Sequence, residues 1–135
     1  MLADGIRVRE EKSQSIACLK AHLESKPRAV KIELSSLCNF RCKMCSNAKS
    51  RVQQLMSDDD FTVALAQLEQ LHPSEIGALF LGESTLHPKL PEMLRKLKCC
   101  TDYVFLTTNG LLVDRLLAQK LLLSGLDSLK WSVNW

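Results

Sequence analysis

At 135 residues the chain has the length of one domain, with enough material for a sizeable core. Hydrophobic residues make up 46% and charged residues 24%, and 18 basic against 15 acidic side chains leave a net charge of +3, too small to imply nucleic-acid or membrane binding. An aromatic content of 5% gives little material for stacking on bases, and no apolar run reaches the length of a membrane span. The N-terminal stretch Met1 to Glu11 is mixed in charge and lacks the apolar core of a secretory signal. The expectation is a cytoplasmic chain with neither nucleic acid nor membrane as partner. Its six cysteines then read as metal ligands or buried thiols before they read as disulfides.

Taken in order, residues 12–25 predict an amphipathic helix on Ile16, Leu19 and Leu23, ended by Pro27. Ala29 to Leu34 alternates apolar and polar like a strand. Ser57 is a good N-cap, Asp58, Asp59 and Asp60 suit the positive end of a helix dipole, and Phe61, Ala64, Leu65, Leu68 and Leu71 mark one face before His72-Pro73 closes the helix. Ile76 to Leu81 is a nearly continuous apolar run, the pattern of a strand buried on both faces. Leu90, Met93, Leu94 and Leu97 give the next helical stripe, and Tyr103 to Thr108 the next strand. Val113, Leu116, Leu117 and Leu121 form a last helical face, so the leucine-rich 111–123 segment is expected to be core, with Gly125 as the residue past its end. Leu129 to Asn134 reads as a final strand. Strands separated by helices predict a parallel sheet with right-handed crossovers.

Directly after the first strand stand Cys38, Cys42 and Cys45, at C-x3-C-x2-C spacing. Three thiolates so close form a soft ligand set suited to an iron–sulfur cluster, zinc or Cu(I). In parallel α/β folds ligands collect at the carboxyl ends of strands. Four segments fall there: the cysteine loop, Gly82-Glu83, Thr107-Thr108-Asn109-Gly110, and Ser132 with Asn134.

The cysteine motif followed by a Gly-Glu segment resembles the radical S-adenosylmethionine (radical SAM) superfamily, over roughly residues 29–134. Met44 stands where that family usually has an aromatic residue, and Leu81 where it has the first glycine of Gly-Gly-Glu. The resemblance implies a parallel β/α partial TIM barrel, of which residues 28–135 would supply about four of six β/α units, with residues 1–27 as a helical extension. It implies that Cys38, Cys42 and Cys45 hold a 4Fe-4S cluster. S-adenosylmethionine (SAM) would occupy the open iron, with Gly82 and Glu83 near its amino group, Met44 at the adenine, and Thr108, Asn109, Ser132 and Asn134 around the rest of the molecule. Reductive cleavage of SAM would give a 5′-deoxyadenosyl radical that takes a hydrogen atom from a substrate. A reducing partner such as flavodoxin or ferredoxin is implied, and similar cysteine loops weakly favour peptide or carbohydrate-like substrates.

Two other readings stay open beside this one: a non-catalytic iron–sulfur or SAM-binding partner subunit, and a structural zinc module completed by a histidine such as His87. His87-Pro88 is otherwise expected to start a helix, His72 to cap one, and Cys99 and Cys100 to be surface or buried thiols. Because a whole barrel needs about 250 residues, the chain is expected to be a fragment or a subunit completed by a missing C-terminal part or a second chain.

Overall fold

A computed structural model describes residues 29–46 and 53–133; the helix expected over 12–25 and the residues Asn134 and Trp135 lie outside them. Four parallel strands make one sheet in the order β1-β2-β3-β4: β1 Ala29–Lys31, β2 Glu75–Ala78, β3 Val104–Thr108 and β4 Ser128–Trp131. Between them run α1 Asp58–Leu71, α2 Leu90–Lys98 and α3 Arg115–Leu123. The strands are shorter than their apolar runs. Ile32 still donates its N–H to the Gly77 carbonyl at 2.9 Å, but Leu79 to Leu81 have left the ladder and Phe80 is exposed.

The helices form where local chemistry starts and stops them. Ser57 Oγ accepts from the Asp60 N–H at 3.1 Å and donates to Asp60 Oδ2 at 2.7 Å, closing the first turn of α1. His72 ends that helix in the left-handed region with φ 43°, its N–H on the Leu68 carbonyl. Helix α2 carries Pro91 in its first turn, and Pro88 lies before it. Asp114, not foreseen as a cap, starts α3 by accepting from the Leu117 N–H at 2.7 Å. Gly125 follows α3 with φ +80°, a conformation that an L side chain rarely adopts.

The core lies between the helices and one face of the sheet. Ile32, Ile76, Ala78, Val104 and Leu106 meet Phe61, Leu68, Leu90, Met93, Leu94, Leu97 and Leu121 there, all buried. All four residues of the α2 stripe are buried as the spacing predicts. The leucine-rich segment departs from expectation. Only Leu121 of α3 is buried, whereas Leu116, Leu122 and Leu123 are 59%, 76% and 78% exposed and Leu111 and Leu112 also face outward. A run so dense in leucine has apolar residues at every helical phase, so periodicity cannot choose the face that meets the sheet.

One polar contact fastens the amino ends of the strands. Asp127 takes Lys98 Nζ on both carboxylate oxygens, at 2.9 and 2.7 Å, and the Val104 N–H at 2.7 Å. The Lys98 ammonium, then the Val104 amide, hold its pKa below the usual carboxylate value. A group shifted this way contributes stability above its unfolded pKa of about 3.9 and loses it as pH falls through the folded value.

Leu94→Ala should cost about 2–5 kcal/mol in urea unfolding, whereas Leu122→Ala should change stability by less than about 0.5 kcal/mol. Asp127→Asn should cost about 1 kcal/mol at neutral pH, allowing for the partial exposure of the pair. Its deficit should shrink as acid protonates the wild-type carboxylate, which urea midpoints at pH 7 and below about pH 4 will compare.

Candidate functional site

The cysteine loop rests on a small clasp of its own arms. Ser35 bridges antiparallel to Leu55, the Met56 N–H reaches the Leu34 carbonyl and the Ser36 N–H the Gln54 carbonyl, each at 2.9 Å. Ser36 Oγ accepts from the Gln54 N–H at 2.9 Å, so the chain leaves and returns at one place. Within the loop the Cys45 N–H turns back on the Cys42 carbonyl at 3.0 Å, and the Phe40 N–H points at Cys38 Sγ at 3.5 Å. Cys38, Cys42 and Cys45 are half-buried, free thiols.

The loop faces the segment that follows β2. There Gly82 packs so tightly against the loop's first arm that a Cβ on it would stand 1.9 Å from the Ser35 carbonyl oxygen. The Glu83 N–H donates to the Leu37 carbonyl at 2.7 Å. Glu33, which the alternation of the first strand leaves as an ordinary polar position, accepts on Oε1 from the Leu81 and Gly82 N–H groups at 2.9 and 3.2 Å. The backbone donors of Leu81, Gly82 and Glu83 are thus all engaged.

Glu83 is only 3% exposed and is the most heavily bonded group of the site. Its Oε1 accepts from the Thr85 N–H at 3.1 Å, Thr85 Oγ1 at 2.6 Å and Thr108 Oγ1 at 2.7 Å, and its Oε2 from the Asn109 N–H at 2.8 Å. One carboxylate therefore ties the end of β2 to the end of β3. Asn109 extends the tie: its Nδ2 donates to Asn39 Oδ1 at 2.7 Å, next to Cys38, while its Oδ1 accepts from Leu111 N–H at 3.0 Å. Beyond, Gly110 sits with φ +83° under the Trp131 ring, and the Ser132 N–H reaches the Thr108 carbonyl at 2.8 Å.

These segments enclose one cleft of about 330 Å³, in the size range of small-molecule sites. Cys38, Cys42, Met44, Cys45, Gly82, Glu83, Thr108, Asn109 and Ser132 all line it, so the expected site residues converge, and Asn134 lies outside the described residues. Thr107, part of the strand-end segment expected to face the ligand, lines it too. Phe40, Leu79, Phe80 and Leu81 also line it and were not named as cofactor contacts. Among the described residues no three His, Cys, Asp or Glu side chains group to hold a single ion.

His87 does not join them. It is buried, with Nε2 3.1 Å from the Met56 carbonyl and Nδ1 accepting from the Lys89 N–H at 3.2 Å. That pair of bonds assigns the proton to Nε2 and leaves neither nitrogen for a metal. At the far end of the sheet Cys99 is exposed and Cys100 buried, each Sγ close to the carbonyl four residues before it. Burial pushes the Cys100 thiol pKa up.

The sequence matches the family model described as the Radical SAM superfamily over residues 32–134. It is 32% identical over 118 residues to the GTP 3′,8-cyclase of Chlorobaculum tepidum, covering 78% of this chain and 32% of that protein. It is 28% identical over 107 residues to the tungsten-containing aldehyde ferredoxin oxidoreductase cofactor-modifying protein of Pyrococcus furiosus, covering 76% of this chain and 30% of that protein. The chain thus spans about a third of the length of these curated relatives. Among solved structures it resembles BtrN in complex with AdoMet and 2-DOIA, with a TM-score of 0.69 at 22% identity over 76% of this chain and 44% of that one. The four-stranded parallel sheet and its helices match the fold of the 44% of that neighbour that they cover, a radical SAM partial TIM barrel. The chain belongs to the radical SAM superfamily, whose members use a 4Fe-4S cluster and S-adenosylmethionine.

Proposed function

We propose that this chain is the cofactor-binding portion of a radical SAM enzyme. Cys38, Cys42 and Cys45 would hold the cluster, and the cleft they share with Gly82 and Glu83 would hold SAM. The observation that carries this reading is that three free thiols share one cleft with a backbone segment whose donors are spent. The N–H groups of Leu81, Gly82 and Glu83 are taken by Glu33 and Leu37, and the carboxylates of Glu33 and Glu83 stand with that segment. Such a wall suits an ammonium group and repels an anion. The amino group of SAM fits it.

Membership of the radical SAM superfamily favours a cluster over zinc at these three thiols. His87, the histidine nearest in role, is engaged on both ring nitrogens. Thr108 turns its hydroxyl to Glu83 and is 1% exposed, so its part is to hold the wall and not to touch the cofactor. Met44, 67% exposed on the cleft, and Phe40 offer apolar surface for the adenine. Asn109 and Ser132 line the same cleft and are assigned to the rest of the SAM molecule, as is Asn134, which lies outside the described residues.

When bound, the reduced cluster and SAM supply radical chemistry that removes a hydrogen atom from a substrate; the protein's residues position both and keep water away. A flavodoxin or ferredoxin would deliver the electron, in a reducing compartment such as the cytoplasm where the described thiols stay free. The named relatives act in different ways, so neither one's reaction is carried over.

Anaerobic reconstitution with iron and sulfide should give about four irons per chain and broad visible absorption. Cys45→Ala should lose most of that iron, and equilibrium dialysis should show SAM retained only by the loaded protein. Stoichiometric zinc that resists replacement, with no SAM retained, would contradict the reading. Glu83→Gln places an NH2 group among buried donors, so it should cost about 1–3 kcal/mol in thermal or urea unfolding as well as weakening SAM retention. The stability loss follows from these buried bonds whatever the thiols hold, so SAM retention is the readout that separates a cluster site from a zinc module.

A further inference from the structure

The floor beside the cleft has chemistry that the cofactor reading does not use. Partners in a parallel ladder share a face, and the register pairs Lys31 with Gly77, Gly77 with Phe105, and Thr107 with Lys130. The core residues Ile76, Ala78, Val104 and Leu106 point to the helices. Phe105, Thr107 and Lys130 therefore look out of the other face, which no helix among the described residues covers. Thr107 and Ser132 of that face line the cleft. Lys130 stands opposite Thr107 and two residues, about 7 Å, before Ser132.

The floor is aromatic with a cation on it. The Phe105 ring occupies the space that a side chain at Gly77 would need, since a Cβ there would stand 2.6 Å from Phe105 Cζ. Lys130 Nζ lies 4.1 Å from the centre of that ring. Lys130 takes part in no ion pair among the described residues; the lysines that do are Lys89, Lys96 and Lys98. Lys31 adds a second exposed ammonium on the same face. Of the acids on this face, Glu75 pairs with Ala29 at the far end and Glu33 is turned to the backbone of Leu81 and Gly82. The positive charge beside the cleft is thus unspent, opposite in sign to the wall proposed for the SAM amino group.

We propose that Lys130, over the Phe105 ring, binds an anionic oxygen group of the substrate, a carboxylate or a phosphate, and so places the substrate beside the bound cofactor. This rests on the reading of the cleft as the SAM site. The competing role for Lys130 is protection of the edge strand β4 against pairing with another chain.

The test uses the full, cluster-loaded chain with its lysine amines carbon-13 methylated, which keeps their charge. Inorganic phosphate and then acetate are titrated while the Lys130 resonance and the ring signals of labelled Phe105 are followed by NMR. One of the anions should saturate the Lys130 shift at a concentration at least about fivefold below that needed at the exposed Lys43 or Lys120, as charge focusing in a cleft allows. The Phe105 response should persist in Lys130→Arg and vanish in Lys130→Gln, a polar replacement that keeps the edge soluble. A Lys130 shift no larger than that of Lys120 with both anions overturns the proposal. So does an undiminished Phe105 response in Lys130→Gln, and self-association of that variant would then assign Lys130 to edge protection. SAM retention on the same sample separates the two readings: SAM bound without an anion response sinks this proposal alone, and no SAM bound sinks the reading of the cleft.

Discussion

A single buried carboxylate organises the carboxyl end of the sheet. Glu83 accepts hydrogen bonds from Thr85, Thr108 and Asn109, four in all, while only 3% exposed. Taking a charged group out of water costs several kcal/mol unless the protein replaces its hydration. Here the replacement comes from backbone and hydroxyl donors at the ends of two neighbouring strands. The arrangement therefore stands only when β2 and β3 end at matching heights, and it makes their loops one rigid wall. Remove the charge and several donors lose their partner together.

The cysteine loop is fastened to that wall from three sides. Gly82 lets the two backbones touch, the Glu83 N–H bonds to the Leu37 carbonyl, and Asn109 reaches Asn39 beside the first cysteine. Glu33, two residues past the end of β1, completes the frame by taking two successive N–H groups. The consequence is electrostatic as well as mechanical. The segment after β2 meets the cleft with its donors used and two carboxylates beside it, while the uncovered sheet face next to the cleft carries Lys130 and Lys31. The two surfaces thus present opposite charge, and they are proposed to serve different molecules.

Much of this was legible in the sequence because it is local. Ser57 with three aspartates, the α2 stripe and the cysteine spacing all act within a few residues, and each appears in place. The strand-end grouping of the site followed from the alternation of strands and helices. What stayed hidden depends on contacts far apart in the chain. Glu33 meets its amide partners 48 and 49 residues away, and nothing in its neighbours distinguishes it from a solvated acid. The Ser35–Leu55 bridge joins two stretches with no strand pattern. The four hydrogen bonds by which Glu83, expected near the SAM amino group, ties Thr85, Thr108 and Asn109 together were not foreshadowed. Of the α3 face read from spacing, Leu117 and Leu121 pack on the core but Leu116 is exposed, and the wider expectation that the whole leucine-rich segment is core failed because a continuous apolar run carries no phase.

The central claim is that the three thiols and the Gly82-Glu83 wall form one cofactor site. Electron–nuclear double resonance on the anaerobically reduced, cluster-loaded chain with SAM labelled by nitrogen-15 at its amino group tests it most directly. The account predicts a nitrogen coupling to the cluster spin that disappears when the wall is disrupted by Gly82→Ala, with the cluster still assembled. A coupling unchanged by that substitution, or a loaded cluster that shows none with SAM present in excess, would contradict it.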